Sequence, residues 1–397
     1  MDHETSLIST IAVGLAFAFV GGCVAFRLRL PPLVGYLLAG IAVGPFTPGY
    51  VADVHLAPQL AEIGVILLMF GVGMHFSVRD LLAVRSVAIP GSIAQIVIAT
   101  ILGAMVAHLW GWSLGAGLVF GLALSVASTV VLLRALESNG LLNSSDGRIA
   151  IGWLIVEDLV MVLALVLLPA LVGLLEPGDA GVAPPAGKLW ITILVTLGKV
   201  VAFVLLMLVL GARLLPWVLR RINLTGSQEL FTLAVITLSL GVAFASAEIF
   251  GVSFALGAFF AGIVVHESDL HHRAADELRP FQNTFAALFF VSVGMLFDPA
   301  VLLRQPIQVL TVVGIIVVGK SLAALLVVLV LRRPLSTALT VSAALAQIGE
   351  FSFILVGMGV KLGVLTIEAQ SLVVAGALLS ITLNPLAFRL CRLRKAA

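Results

Sequence analysis

The run IAIGWLIVEDLVMVLALVLLPALV, Ile149 to Val172, is long enough as a helix, at about 1.5 Å per residue, to cross the ~30 Å hydrocarbon core of a bilayer. Two adjacent carboxylates, Glu157 and Asp158, stand in its middle. An ionised carboxylate at the centre of a membrane helix costs roughly 2.5 to 3.5 kcal/mol, so acids kept there mark ion or proton pathways. This one segment points both to a fold class, helices in lipid, and to a chemistry.

The rest of the chain agrees with it. Of 397 residues, 61% are hydrophobic and 11% charged, too few polar groups to cover a surface facing water. Thirteen apolar segments of helical length follow one another: 7 to 26, 32 to 47, 60 to 78, 86 to 108, 113 to 136, 149 to 173, 189 to 212, 229 to 247, 251 to 266, 281 to 297, 306 to 331, 335 to 359 and 367 to 390. The expected fold is an all-α polytopic membrane protein of thirteen transmembrane helices, with the lipid bilayer as its main partner and no nucleic acid. Asp2 and Glu4 precede the first segment with no Lys or Arg and no cleavage site after it, so helix 1 is expected to be retained. Cys23 and Cys391, at the ends of the first and last helices, make neither a disulfide framework nor a thiolate metal site.

Lys and Arg in alternate loops fix the expected orientation. Seventeen of the 22 basic residues fall in one set of loops and tails, three (Lys188, Arg304 and Lys361) in the other, and Lys199 and Lys320 lie inside helices. The asymmetry predicts an N-terminus outside and a C-terminus in the cytoplasm.

An offset of 222 residues brings GYLLAGI (Gly35 to Ile41) onto GAFFAGI (Gly257 to Ile263), and an offset of 221 brings FGVGMHF (Phe70 to Phe76) onto VSVGMLF (Val291 to Phe297). Two matches near one offset indicate a duplication. Helices 1 to 6 (7 to 173) then pair with helices 8 to 13 (229 to 390), and helix 7 (189 to 212) is the linker. Partners seven helices apart enter from opposite sides, which gives two inverted six-helix repeats. Such repeats place substrate and coupling ions near the midplane, at discontinuous helices. Helices 5 and 12 are partners and both carry polar residues halfway along: Ser125, Ser128 and Thr129 in one, Gln347, Gly349 and Glu350 in the other. An unwound stretch must face protein or water, because lipid cannot pair its backbone groups. Asp158, Ser128, Lys320 and Glu350 lie about 13 to 22 Å into their helices, compatible with one central layer.

Five stretches, VGYLLAGIAVGP (Val34 to Pro45), IGWLIVEDLV (Ile151 to Val160), HESDLHHRAADELRPF (His266 to Phe281), FFVSVGMLFD (Phe289 to Asp298) and AQIGEFSFIL (Ala346 to Leu355), make the chain resemble the Kef-type branch of the monovalent cation:proton antiporter-2 family. The resemblance implies a dimerisation domain and a mobile core domain, a homodimer in a bacterial inner membrane, and exchange of K⁺ or Na⁺ for H⁺ with no other cofactor. It carries the ion-binding aspartate onto Asp158, the broken-helix polar residues onto Ser128 and Thr129, and the basic residue of helix 11 onto Lys320. Where the Kef pattern has glutamine before the aspartate, this chain has Glu157. Kef proteins continue into a cytoplasmic nucleotide-binding regulatory domain; this chain runs to Ala397, and no glycine-rich phosphate loop occurs in it, so that domain is expected to be absent from these residues.

The expected mechanism is competition of cation and proton for Asp158, with Ser128, Thr129 and freed carbonyls completing an oxygen shell suited to a hard monovalent ion. Glu157 points about 100° away around the helix, and Lys320 is its expected partner. Glu350 neutralises helix ends or pairs with a base, Gln347 is structural at the crossing, and Lys199 packs or faces lipid. The segment His266 to Arg279 reads as a charged solvated loop available to a regulatory domain or subunit, and Gly40 with Gly44 as a helix-packing pair. A sodium-coupled organic-solute symporter and a gated K⁺ channel are the alternatives; no TVGYG-like filter is present. An enzyme is not expected, since the HExxH helix of an intramembrane protease is missing.

Overall fold

A computed structural model describes residues 6–53, 56–75, 78–142, 144–175 and 186–396; Asp2 and Glu4 lie outside them. In chain order the helices are α1 (Ser6–Arg27), α2 (Pro32–Ala42), α3 (Leu56–His75), α4 (Val78–Leu109), α5 (Leu114–Ser125), α6 (Thr129–Ser138), α7 (Ser145–Leu175), α8 (Ala186–Leu206), α9 (Ala212–Asn223), α10 (Gln228–Phe250), α11 (Phe254–His266), α12 (His271–Met295), α13 (Val301–Arg304), α14 (Pro306–Gly314), α15 (Lys320–Val330), α16 (Leu335–Ala344), α17 (Glu350–Lys361) and α18 (Ile367–Ala396). Wider π-helical turns at Met207–Gly211 and Ile315–Gly319 join α8 to α9 and α14 to α15. The chain is an all-α polytopic membrane protein.

Length and composition account for part of the thirteen expected crossings. Among the described residues nine spans are long and apolar enough to cross a membrane, and three apolar helices, α2, α11 and α16, are only 10 to 13 residues long. At 1.5 Å per residue these reach about 15 to 20 Å. The segment expected at 281 to 297 is the apolar end of α12, which begins ten residues earlier. The charged loop expected at His266 to Arg279 is therefore mostly helix, with only Glu267–Leu270 between α11 and α12. Its polar groups are tied to neighbours. Glu277 accepts from Thr232 Oγ1 at 2.6 Å, Arg220 pairs with Asp269 at 2.7 Å, and Arg273 donates to Asn223 while lying 4.3 Å from the Phe231 ring centre.

The chain divides into two compact units. The first comprises residues 1–21, 36–76 and 184–295. Its helices approach through glycines that come from the duplicated motifs. A Cβ on Gly40 would stand 2.1 Å from Val291 O and 2.8 Å from Gly294 Cα; a Cβ on Gly262 would stand 2.1 Å from Phe70 O and 3.0 Å from Gly73 Cα. The GYLLAGI copy thus packs on VSVGMLF, and the GAFFAGI copy on FGVGMHF. Side chains larger than hydrogen have no room at these backbone contacts.

The second unit comprises residues 22–35, 77–183 and 296–397. Here α4, α5 and α7 pack together, as do α15 and α16, around a core that includes Trp153, Leu132, Leu136, Val328 and Val341. Gly91 of α4 leaves the space that the Trp153 ring fills, since a Cβ there would stand 2.2 Å from it. All the midplane residues singled out in the sequence belong to this unit.

Candidate functional site

Two interrupted helices meet here. α5 stops at Ser125, Val126 and Ser128 are extended, and α6 starts at Thr129; α16 stops at Ala344, and α17 starts at Glu350 after an extended Gly349. Breaking a helix in an apolar setting strands backbone groups that must find partners. Side chains supply them. Gln95 Nε2 on α4 donates to Ser125 O (3.0 Å), Ala127 N donates to Glu157 Oε2 (2.8 Å), and Lys320 Nζ donates to Gln347 O (2.7 Å).

The breaks also hold each other. Ser128 N donates to Gln347 Oε1 at 3.0 Å, and Gln347 Nε2 returns a bond to Ser128 O at 3.2 Å. A Cβ on Gly349 would lie 2.5 Å from Ser128 Cα, so glycine is what lets the second break sit against the first. Ser128 Oγ caps α6 by accepting from Val131 N at 3.3 Å. Glu350 lies in the first turn of α17, where the helix dipole favours negative charge.

Asp158 is 4% exposed. Thr129 Oγ1 donates to its Oδ2 at 3.2 Å, and its Oδ1 has no hydrogen-bond partner. Glu157 and Lys320 are fully buried and Glu350 is 1% exposed. Glu157 Oε1 and both carboxyl oxygens of Glu350 also lack a hydrogen bond of good geometry. Three acids and one ammonium would leave a net formal charge of minus two if all were ionised. Lys320 attracts Glu157, while Glu350 and Glu157 repel an ionised Asp158. So much unpaired carboxylate oxygen in a dry place is an arrangement that invites a cation or protons.

The structure brings together Asp158, Glu157, Ser128, Thr129, Lys320, Glu350 and Gln347, as their depths in the sequence suggested. One relation differs from expectation. Lys320 does not bond Glu157: among the described residues no ion pair within 4.0 Å joins them, and its hydrogen bond goes to the second break instead. A flexible ammonium serves a stranded carbonyl at contact distance and a carboxylate at longer range. The π-helical turn directly before Lys320 shifts the register of its helix, a device frequent at functional sites. Among the described residues no three acids, histidines or cysteines converge as metal ligands. Lys199 is exposed on α8, which belongs to the first unit.

Sequence reading missed Gln95. It is fully buried, it closes the end of α5, and its Oε1 is unpaired. The signal was present: one amide stands inside the apolar IAQIVIA stretch, and an offset of 225 places it on Lys320, which serves the other break in the same way.

Known proteins share this architecture. The chain matches the sodium/hydrogen exchanger transmembrane family over residues 15–390. It is 60% identical over 390 residues to YbaL of Escherichia coli (strain K12), named as a candidate cation/proton antiporter, covering 98% of this chain and 69% of that protein. It is 34% identical to K(+) efflux antiporter 4 of Arabidopsis thaliana, covering 98% of this chain and 64% of the relative. In structure it is similar to the sodium proton antiporter MjNhaP1 of Methanocaldococcus jannaschii, with a TM-score of 0.73 over 97% of this chain and 98% of the other at 16% identity, which speaks for the fold alone. The match across nearly every helix, together with the paired breaks around Asp158, leaves one conclusion: the chain belongs to the transmembrane sodium/hydrogen exchanger family, in its monovalent cation:proton antiporter-2 branch.

Proposed function

We propose that Asp158 is the shared seat of cation and proton in this secondary active monovalent cation/proton antiporter. The observation that carries the reading is the free Oδ1 of a buried aspartate at the crossing of two broken helices. A cation there takes Oδ1 with help from Thr129, Ser128 and nearby carbonyl oxygens; a proton takes the same oxygen and excludes the cation. An empty, ionised site moves poorly through an apolar barrier, so only loaded states cross and the two flows are coupled. Potassium is the favoured cation, supported by the K(+) efflux antiporters among the relatives, with sodium as the alternative.

The same reading places thirteen helices in two inverted repeats, 7–173 and 229–390, with the linker at 189–212. The crosswise glycine contacts support it, because each copy of one motif meets the other repeat's copy of the second motif. The two compact units correspond to the dimerisation and core domains of a homodimer in a bacterial inner membrane, with the N-terminus periplasmic and the C-terminus cytoplasmic, and a regulatory domain or subunit acts from the cytoplasmic side.

Reconstitution tests it. Proteoliposomes carrying the wild type convert an imposed K⁺ or Na⁺ gradient into a change of internal pH with the membrane potential clamped. The Asp158→Asn variant is expected to be inert although folded; full exchange by that variant would remove Asp158 from the mechanism.

A further inference from the structure

A cavity of about 790 Å³ in the second unit is lined by none of the residues gathered at Asp158. Four arginines line it: Arg27 at the end of α1, Arg29 in the turn after it, Arg134 on α6 and Arg389 on α18. All four are exposed, and among the described residues no carboxylate comes within 4.0 Å of any of them. Arg29 is held at φ 61°, a left-handed conformation uncommon for any residue but glycine, asparagine or aspartate. The remaining walls are largely apolar, with Phe26 and Phe388 prominent.

Four guanidinium groups without a carboxylate partner around one cavity suit an anion with several acceptor oxygens, and phosphate fits the guanidinium fork. Apolar walls and the setting choose among phosphates. The arginines sit where apolar spans end, all in the basic set of loops, and in Phe26-Arg27-Leu28-Arg29-Leu30 basic and apolar residues alternate, Phe26 being 73% and Leu28 66% exposed. This is the composition of a headgroup site, with phosphate on the basic side and acyl carbons on the apolar one.

We propose that this cavity binds the phosphate of an anionic phospholipid. The site lies on the element that serves Asp158: α6 begins at Thr129, which donates to Asp158, and Arg134 stands five residues on, about 7.5 Å along the helix. A lipid held there braces the half-helix that bounds the ion site.

The test uses the purified full chain in detergent and counts retained lipid by native mass spectrometry after extraction from membranes containing phosphatidylglycerol and phosphatidylethanolamine. The wild type is expected to keep phosphatidylglycerol selectively. Each of R134Q and R389Q is expected to lower that retention about fivefold, the corresponding Lys variants less, and the R332Q/R333Q control, basic residues outside the cavity, not at all. Monodisperse elution in size-exclusion chromatography confirms that the variants are folded. Equal retention in R134Q/R389Q and R332Q/R333Q would reduce the lipid to general surface attraction and overturn the proposal. Displacement of the lipid by millimolar inorganic phosphate would overturn it in favour of a soluble ligand. The same counts in a D158N background separate this site from the transport reading, since lipid retention there is expected to be unchanged.

Discussion

Asp158 and Glu157 are neighbours in sequence with different employment. Asp158 keeps an oxygen free and takes one weakly held hydroxyl, whereas Glu157 already accepts from the Ala127 amide. A glutamine at 157 can still accept that bond through its carbonyl oxygen, so Glu157→Gln is expected to fold. It removes one negative charge beside the ion seat and leaves Lys320 without its long-range counter-charge. With an effective dielectric near 20, charges several ångströms apart interact by about 1 to 2 kcal/mol, so the apparent KM for the cation is expected to rise roughly 5- to 30-fold in initial-rate measurements. An unchanged KM would mean that Glu157 is occupied wholly with the break and with Lys320. If Asp158 seats both ions, as proposed, protons displace the cation, so apparent cation affinity is expected to fall as pH drops, by at most about tenfold per pH unit for one proton per cation. A KM flat across that range would deny a shared seat. Buried acids were legible because burial makes them conspicuous in an apolar run. Which atoms they bond was not, because a hydrogen bond such as Glu157 to Ala127 depends on a backbone break in another helix.

At the level of elements, the crossing is a pair of defects that repair one another. Gln347 is its clasp, meeting both the amide and the carbonyl of Ser128. Gln347→Leu keeps the volume and removes both partners; each buried group left unpaired costs about 1 to 3 kcal/mol. The variant is therefore expected to lose roughly 2 to 6 kcal/mol, measured by denaturant or thermal unfolding in detergent, and to lose exchange activity with it. Stability unchanged within about 0.5 kcal/mol would show that Ser128 finds other partners. The sequence disclosed both breaks, since polar residues and glycine in mid-helix have few other uses in lipid. It hid the first half of α12, because a helix whose early turns read HHRAADELRP has no apolar stripe long enough to stand out from a loop, and its polar groups meet Thr232, Asn223 and Phe231 in other elements. Local pattern cannot report bonds to residues some fifty positions away.

For the whole chain, two recurring motifs turn one kind of contact into two. The motif that supplies Gly40 also supplies Gly262, and the motif that supplies Gly73 also supplies Gly294; the contacts are Gly40 with Gly294 and Gly262 with Gly73. Internal sequence similarity revealed the two copies but not that they pair crosswise, since similarity carries no information about which copy touches which. If the crosswise pairs are two versions of one contact, they should respond alike to the same insult. Valine at any of the four positions drives a side chain into backbone and is expected to cost about 1 to 3 kcal/mol. Within a pair the second valine meets helices already forced apart, so G40V/G294V and G73V/G262V are each expected to be less destabilised than the sum of their single variants, by about 0.5 kcal/mol or more. Pairs drawn from different contacts, such as G40V/G73V, should come closer to additivity. Unfolding midpoints of the four single and three double variants decide the matter: tolerance of one contact with collapse of the other would show that the two halves have diverged too far to be treated as inverted copies.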